Sequence, residues 1–131
     1  MSILIEKELG AIPSTAEIEV VDILVIHNVV KKRVTFLKPS RAKGSKTPDL
    51  LIDDAYWEIK SLDKLGKYTL EHTLRAGLKQ ADNLVLDLRN LSIGLEKKAR
   101  REIEREYRKR KGWRGLIIIV RFDGECLTFH K

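Results

Sequence analysis

Three charged residues, Asp49, Glu58 and Lys60, have the types and spacing to do chemistry together. They lie in the stretch Thr47-Pro48-Asp49-Leu50-Leu51-Ile52-Asp53-Asp54-Ala55-Tyr56-Trp57-Glu58-Ile59-Lys60. It reads as two short strands joined by a tight turn: an apolar run, an Asp-Asp turn, then a β-rich return. Glu58 and Lys60 are two apart, so their side chains leave the same face of the second strand. A hairpin folded at Asp53-Asp54 carries Asp49 back beside them. Two carboxylates and an ammonium then converge, which is the composition of a divalent-metal site with a cation at its edge. Asp53 and Asp54 drop out because they form the turn at the far end.

Pro48-Asp49 followed by Glu58-Ile59-Lys60 resembles the signature of the PD-(D/E)xK nuclease superfamily. With Pro39-Ser40, Trp57, Ser61 and Lys79-Gln80-Ala81-Asp82-Asn83, the string is similar to one branch of it. That branch is the metal-dependent transfer-RNA nuclease domain at the C-terminal tip of contact-dependent growth-inhibition toxins and related polymorphic toxins. The likeness runs from about Glu19 to the end. It implies a mixed β-sheet flanked by helices, an α/β fold. It also implies Mg²⁺, or another divalent cation such as Mn²⁺, held by Asp49 and Glu58, with Lys60 assisting phosphodiester hydrolysis. An acid on a preceding helix is implied as well, and its spacing before Phe36-Leu37 fits Glu19 as a third metal-site member. Thr69 and Gln80 are the expected contributors from the helix after the motif. The partners implied are tRNA, a cognate and acidic immunity protein, and a larger secreted or cell-surface delivery protein. The toxin would act in the cytoplasm of a target bacterium.

The chemistry suits these residue types. A hard cation accepts one or two carboxylates together with waters and phosphate oxygens, and it acidifies a bound water while neutralising charge at phosphorus. Lys60 is placed to stabilise negative charge or orient the water. Without metal, the clustered carboxylates raise one another's pKa.

The remaining chain must position this hairpin. Its 131 residues suffice for one domain, expected over 14–131 behind a loosely attached arm at 1–13. No apolar run reaches the length of a membrane span, and the first residues lack the pattern of a signal peptide. The single cysteine, Cys126, excludes an internal disulfide framework. Ser14 and Glu17 mark a helix start. The stretch 17–30 is β-branched, which favours a strand, but its length favours a buried helix, as does the resemblance. A strand follows at 34–37 and a basic loop at 38–46, in which Arg41, Lys43 and Lys46 are placed to meet phosphates. Residues 68–81 carry a helical apolar stripe through Leu70, Leu74 and Leu78, with Lys79 pointing outward, placed to meet a phosphate. A buried strand is expected at 82–89 and a charged helix at 95–111, with Leu95, Ala99, Ile103 and Tyr107 as its apolar stripe. The strand at 115–120 is followed by a turn at Asp123-Gly124 into 126–129.

Net charge is +7, pointing to a polyanionic partner. Between residues 96 and 114 ten Lys or Arg face four Glu, so this one segment carries most of the excess. Arg108, Lys109, Arg110 and Lys111 form its surplus, with salt-dependent grip on a phosphate backbone. Three alternatives stay open: a DNA endonuclease of the same superfamily, a non-catalytic nucleic-acid-binding module, and a metal-independent RNase using His72 as base. Trp57 is expected in the core, and Trp113 is open between core and base stacking.

Overall fold

A computed structural model describes residues 2–39 and 47–130. Its elements run β1 (Leu4–Lys7), α1 (Thr15–Ile26), β2 (Arg33–Phe36), β3 (Leu50–Ile52), β4 (Ala55–Ser61), α2 (Thr69–Leu78), β5 (Asn83–Asp87), α3 (Ile93–Lys109), β6 (Ile117–Val120) and β7 (Cys126–Phe129). The seven strands form one sheet in sequence order. The β1–β2, β4–β5 and β5–β6 pairs are parallel, and β2–β3, β3–β4 and β6–β7 are antiparallel. This is the mixed, helix-flanked α/β sheet expected from the sequence. One segment departs from expectation. The stretch read as a loose arm carries β1, which pairs with β2 through Leu4↔Arg33 to Lys7↔Phe36.

Helix beats strand at 17–30 because the start is strongly specified. Ser14 Oγ accepts from Glu17 N at 3.1 Å, and Glu17 Oε1 accepts from Ser14 N at 3.1 Å, closing a capping box. The helix buries Val20, Val21 and Leu24, and it stops at Ile26, short of the expected 30. Beyond it, Asp53 sits at φ +53° in the β3–β4 turn. Its carboxylate accepts from the backbone N–H groups of Lys31, Lys32 and Arg33. Burial opposes ionisation of Asp53, but these three hydrogen bonds outweigh it and hold the carboxyl below its usual range. The turn therefore fastens the α1–β2 connection to the hairpin.

Alternation along the strands splits the core between two faces. On one face α1 packs with Val34, Phe36, Leu50, Ile52, Trp57, Ile59, Val85 and Ile118. On the other, α2 and α3 pack with Leu84, Leu86, Ile117 and Ile119. Trp57 is core, as expected, and Trp113 joins the second cluster. There it packs edge-on against Tyr107 at 4.8 Å and donates from Nε1 to Asp82 O at 2.7 Å. Gly115 is dictated by close approach, since a Cβ there would stand 1.9 Å from Asp82 O.

The charged helix begins at Ile93, capped by Ser92 Oγ. Its buried face is Ala99, Ile103 and Tyr107 with Glu96, while Leu95, expected in the stripe, is 38% exposed. Glu96 accepts from Arg121 Nε at 3.0 Å, from Arg100 Nε at 3.3 Å and from Phe122 N at 3.4 Å. Arg100 thus pairs with Glu96 one turn before it. No described helix is long and apolar enough to cross a membrane.

Candidate active site

The hairpin brings its charges together as its strand period requires. Leu50 pairs with Trp57, and Asp49 N donates to Trp57 O at 3.1 Å, which sets Asp49 beside Glu58 at the mouth of the hairpin. Glu58 and Lys60 stand in register with Leu84 and Leu86 of β5, on the face covered by α2 and α3. The Asp49 carboxylate is anchored from below, with Oδ2 accepting from Ile59 N at 2.8 Å. Lys60 Nζ lies 3.5 Å from Glu58 Oε2. Glu58 is only 6% exposed, and its Oε1 is buried with no hydrogen-bond partner among the described residues.

The electrostatics follow from that packing. Burial, then the neighbouring Asp49 charge, pushes the Glu58 carboxyl up to about 8, against the pull of Lys60. Burial also raises the Asp49 carboxyl, although the Ile59 N–H and the shared contact with Glu58 work the other way. At neutral pH the pair therefore retains a proton and titrates as a unit. It has one cation too few for two charges. Among the described residues no group of three or more His, Cys, Asp or Glu is arranged to hold a metal. Two adjacent carboxylates with an open oxygen nevertheless suit a hard cation whose other ligands are water and phosphate.

Glu19 is placed elsewhere. It lies on α1, whose core face meets the opposite side of the sheet, and its Oε2 pairs with Arg89 Nη1 at 2.9 Å. Arg89 in turn grips buried Asp87 through Nε at 2.8 Å and Nη2 at 2.9 Å. Glu17 is the α1 acid whose charge reaches Asp49, and the two line one hollow of about 290 Å³. The helix turn decides this, because Glu17 and Glu19 point to nearly opposite sides. The capping box identified Glu17 as a first-turn residue. Only the docking angle of α1 turns it toward Asp49.

The lining helix contributes differently from expectation. Thr69 Oγ1 accepts from Gly66 N at 2.8 Å, so its hydroxyl closes the turn before α2. Gln80 Oε1 accepts from both Thr47 N at 2.7 Å and Thr47 Oγ1 at 2.8 Å. It fastens the segment two residues before Asp49 and acts as a positioning residue for it. His72 is exposed and stacks on Tyr68 at 6.2 Å.

Of the expected phosphate contacts, Arg41, Lys43 and Lys46 lie outside the described residues. Lys79 and Lys111 are exposed. The surplus on α3 is largely paired: Arg108 with Glu104 at 3.0 Å, Lys109 with Glu106 at 3.9 Å and Arg110 with Glu106 at 3.7 Å. Lys38, which was not singled out in the sequence, is exposed beside the Asp49 hollow.

Comparison with known proteins bears on this arrangement. Residues 46–124, more than half of the chain, match the model of the contact-dependent growth inhibition CdiA C-terminal domain. No curated protein matches the chain. Among solved structures, the fold is similar to a chain of the CdiA-CT/CdiI toxin and immunity complex from Burkholderia pseudomallei. Identity there is 15%, the TM-score is 0.58, and the match covers 98% of this chain and 99% of that one. The chain thus belongs to the contact-dependent growth inhibition CdiA C-terminal domain family and is a bacterial toxin domain.

Proposed function

We propose that this toxin domain is a metal-dependent endoribonuclease of the PD-(D/E)xK type, cleaving tRNA. The observation carrying the nuclease part is the buried Asp49–Glu58 pair, with the open Glu58 Oε1 and with Lys60 Nζ 3.5 Å from Glu58. These residues fit a divalent cation. Asp49 and Glu58 would hold Mg²⁺ or Mn²⁺, and Glu19, engaged by Arg89, is left out of the set. When bound, such an ion supplies charge neutralisation and a more acidic water. The chain does the rest. The Ile59 N–H fixes the Asp49 carboxylate, Gln80 holds the Thr47 end of the motif segment, and Lys60 sets a positive charge where negative charge develops on the attacked phosphate.

The choice of tRNA rests on the motif likeness to the transfer-RNA nuclease branch. An immunity protein as partner is suggested by the toxin–immunity complex that shares the fold. With a net charge of +7 on the toxin, that partner is expected to be acidic. Delivery by a larger cell-surface protein into a target cell completes the proposal.

The deciding assay incubates the chain with tRNA and, separately, with plasmid DNA, with Mg²⁺ or EDTA. Cleavage of tRNA that needs Mg²⁺ and disappears in Lys60→Ala, whose melting is unchanged, is the expected result. Preferential nicking of plasmid moves the domain to DNA. Binding without any EDTA-sensitive cleavage makes it a nucleic-acid-binding module. Cleavage that survives EDTA and dies with His72→Ala sinks the metal mechanism.

A further inference from the structure

Tyr56 is a large aromatic side chain on the same face of β4 as Glu58, two residues away, and it is 56% exposed. Its ring and hydroxyl have no hydrogen-bonding, ionic or ring partner among the described residues. Its backbone pairs with Leu51 in the β3–β4 ladder, and its carbonyl accepts from Asn83 Nδ2 at 3.0 Å. Neighbours on β4 behave otherwise: Trp57 and Ile59 are buried against α1 and Glu58 is buried beside Asp49. A strand placing an aromatic ring in solvent, about 7 Å from a buried carboxylate pair, makes a platform with nothing on it.

The platform belongs to a shaped site. Tyr56 borders a hollow of about 450 Å³ whose walls include Pro48, Gln80 and Asn83. That volume falls in the range of small-molecule sites. The hollow shares Leu37 and Lys38 with the smaller one that contains Asp49 and Glu17. A strand of nucleic acid with a phosphate at the Asp49–Glu58 pair therefore has, one step along, an aromatic face and an exposed ammonium at Lys38. The Gln80 carbonyl oxygen is already tied to Thr47, and the Asn83 amide to Tyr56 and Leu116. The site thus offers a stacking face and a rigid wall rather than a set of free donors and acceptors that read a base edge.

We propose that Tyr56 and the hollow beside it form a subsite for an unpaired nucleobase flanking the phosphate bound at Asp49 and Glu58. This rests on the nuclease reading for the position of the phosphate. The consequence is a preference for single-stranded segments such as loops and ends, because a base inside a duplex has no free face to stack. Stacking on an aromatic ring tolerates any base and is indifferent to the sugar.

The test measures binding of a short labelled oligonucleotide by fluorescence anisotropy, to the full chain carrying Lys60→Ala, with Ca²⁺ in place of Mg²⁺ as the hard cation. The oligonucleotide is used as RNA, as DNA, as a duplex and with abasic sites. Adding Tyr56→Ala should weaken binding of both single strands on the order of tenfold, while Tyr56→Phe keeps it. The duplex and the abasic strand should bind the parent and the Tyr56→Ala variant alike. Unchanged single-strand affinity in Tyr56→Ala overturns the subsite, as does an equal loss on the abasic strand. Because no cleavage enters, the two ideas fail separately. A chain that cuts nothing with Mg²⁺ yet shows the Tyr56 pattern keeps the subsite and loses the nuclease, and the opposite result does the reverse.

Discussion

Glu58→Gln is the substitution that probes the carboxylate pair most directly. The Glu58 carboxyl rises from 4.5 to about 8, chiefly through burial and then through the charge of Asp49. A raised pKa means that the folded state holds the proton more tightly than the unfolded state does. Stability is then greatest below 4.5 and is lost as pH rises toward 8. The full rise corresponds to a ceiling of about 5 kcal/mol. Asp49 titrates together with Glu58, and the effective dielectric near a site mouth is far above that of a dry interior, so about 2 kcal/mol is the working expectation. Glutamine preserves the shape and cannot ionise. In EDTA, Glu58→Gln should melt with the parent chain near pH 5 and above it near pH 9. At about 3–5 °C per kcal/mol for a chain of this length, the gap at high pH is roughly 6–10 °C. Millimolar Mg²⁺ should close the gap by stabilising the parent. Circular-dichroism melts across pH 5–9 measure all of this. If the two proteins keep parallel melting profiles over that range, Glu58 is not the strained acid described here.

Gln80→Ala removes the acceptor of two Thr47 hydrogen bonds and should cost about 1–2 kcal/mol in denaturant titrations. It should also lower the cleavage rate without a matching change in KM, and an unaltered denaturation midpoint would remove its positioning role. Gly115→Ala forces a Cβ to 1.9 Å from Asp82 O, a backbone atom that cannot swing aside. A loss of about 3 kcal/mol is expected, and a variant that melts with the parent would mean that the β5 entrance adjusts freely.

What the sequence disclosed was local. The motif hairpin follows from a period of two around an Asp-Asp turn, and the start of α1 from Ser14 and Glu17. The position of Asp49 beside Glu58 comes from that same hairpin, with three paired β3–β4 positions between them and the turn. What stayed hidden depends on partners distant in the chain. β1 is four residues that, among the described residues, pair with β2 alone, nearly thirty positions on. Glu96 reads as one more charge on a solvated helix until Arg121 arrives from beyond β6. Glu17 and Glu19 differ only in which way α1 is rotated over the sheet. Spacing to the next strand cannot fix that rotation, because helix phase is set by the residues that bury: Val20, Val21 and Leu24. Tyr56 is invisible for a related reason. Alternation tells which face it shares, but not that α2 and α3 leave this part of the face open.

The treatment of buried acids separates the candidate site from the scaffold. Three acids are buried among the described residues: Glu58, Asp87 and Glu96. Desolvating a carboxylate is costly unless charge and hydrogen bonds are returned to it. Asp87 receives a two-pronged guanidinium from Arg89, the Arg89 N–H and the Ser61 hydroxyl. Glu96 receives two guanidiniums and a backbone N–H. Glu58 receives a single ammonium at 3.5 Å, keeps an oxygen without a partner, and has a second carboxylate beside it. A scaffold that compensates two of its buried acids with arginines shows that the compensation is within its reach. At Glu58 it is withheld, and what the pair lacks is positive charge with open coordination. The divalent cation proposed above would meet that demand, which Lys60 alone does not. An arginine in place of Lys60 offers a direct check. Lys60→Arg should stabilise the chain above pH 8 in EDTA, as guanidinium does at Asp87, while weakening any Mg²⁺-dependent stabilisation. A melting temperature that still climbs as steeply with Mg²⁺ would mean the pair's missing charge is not what the ion supplies.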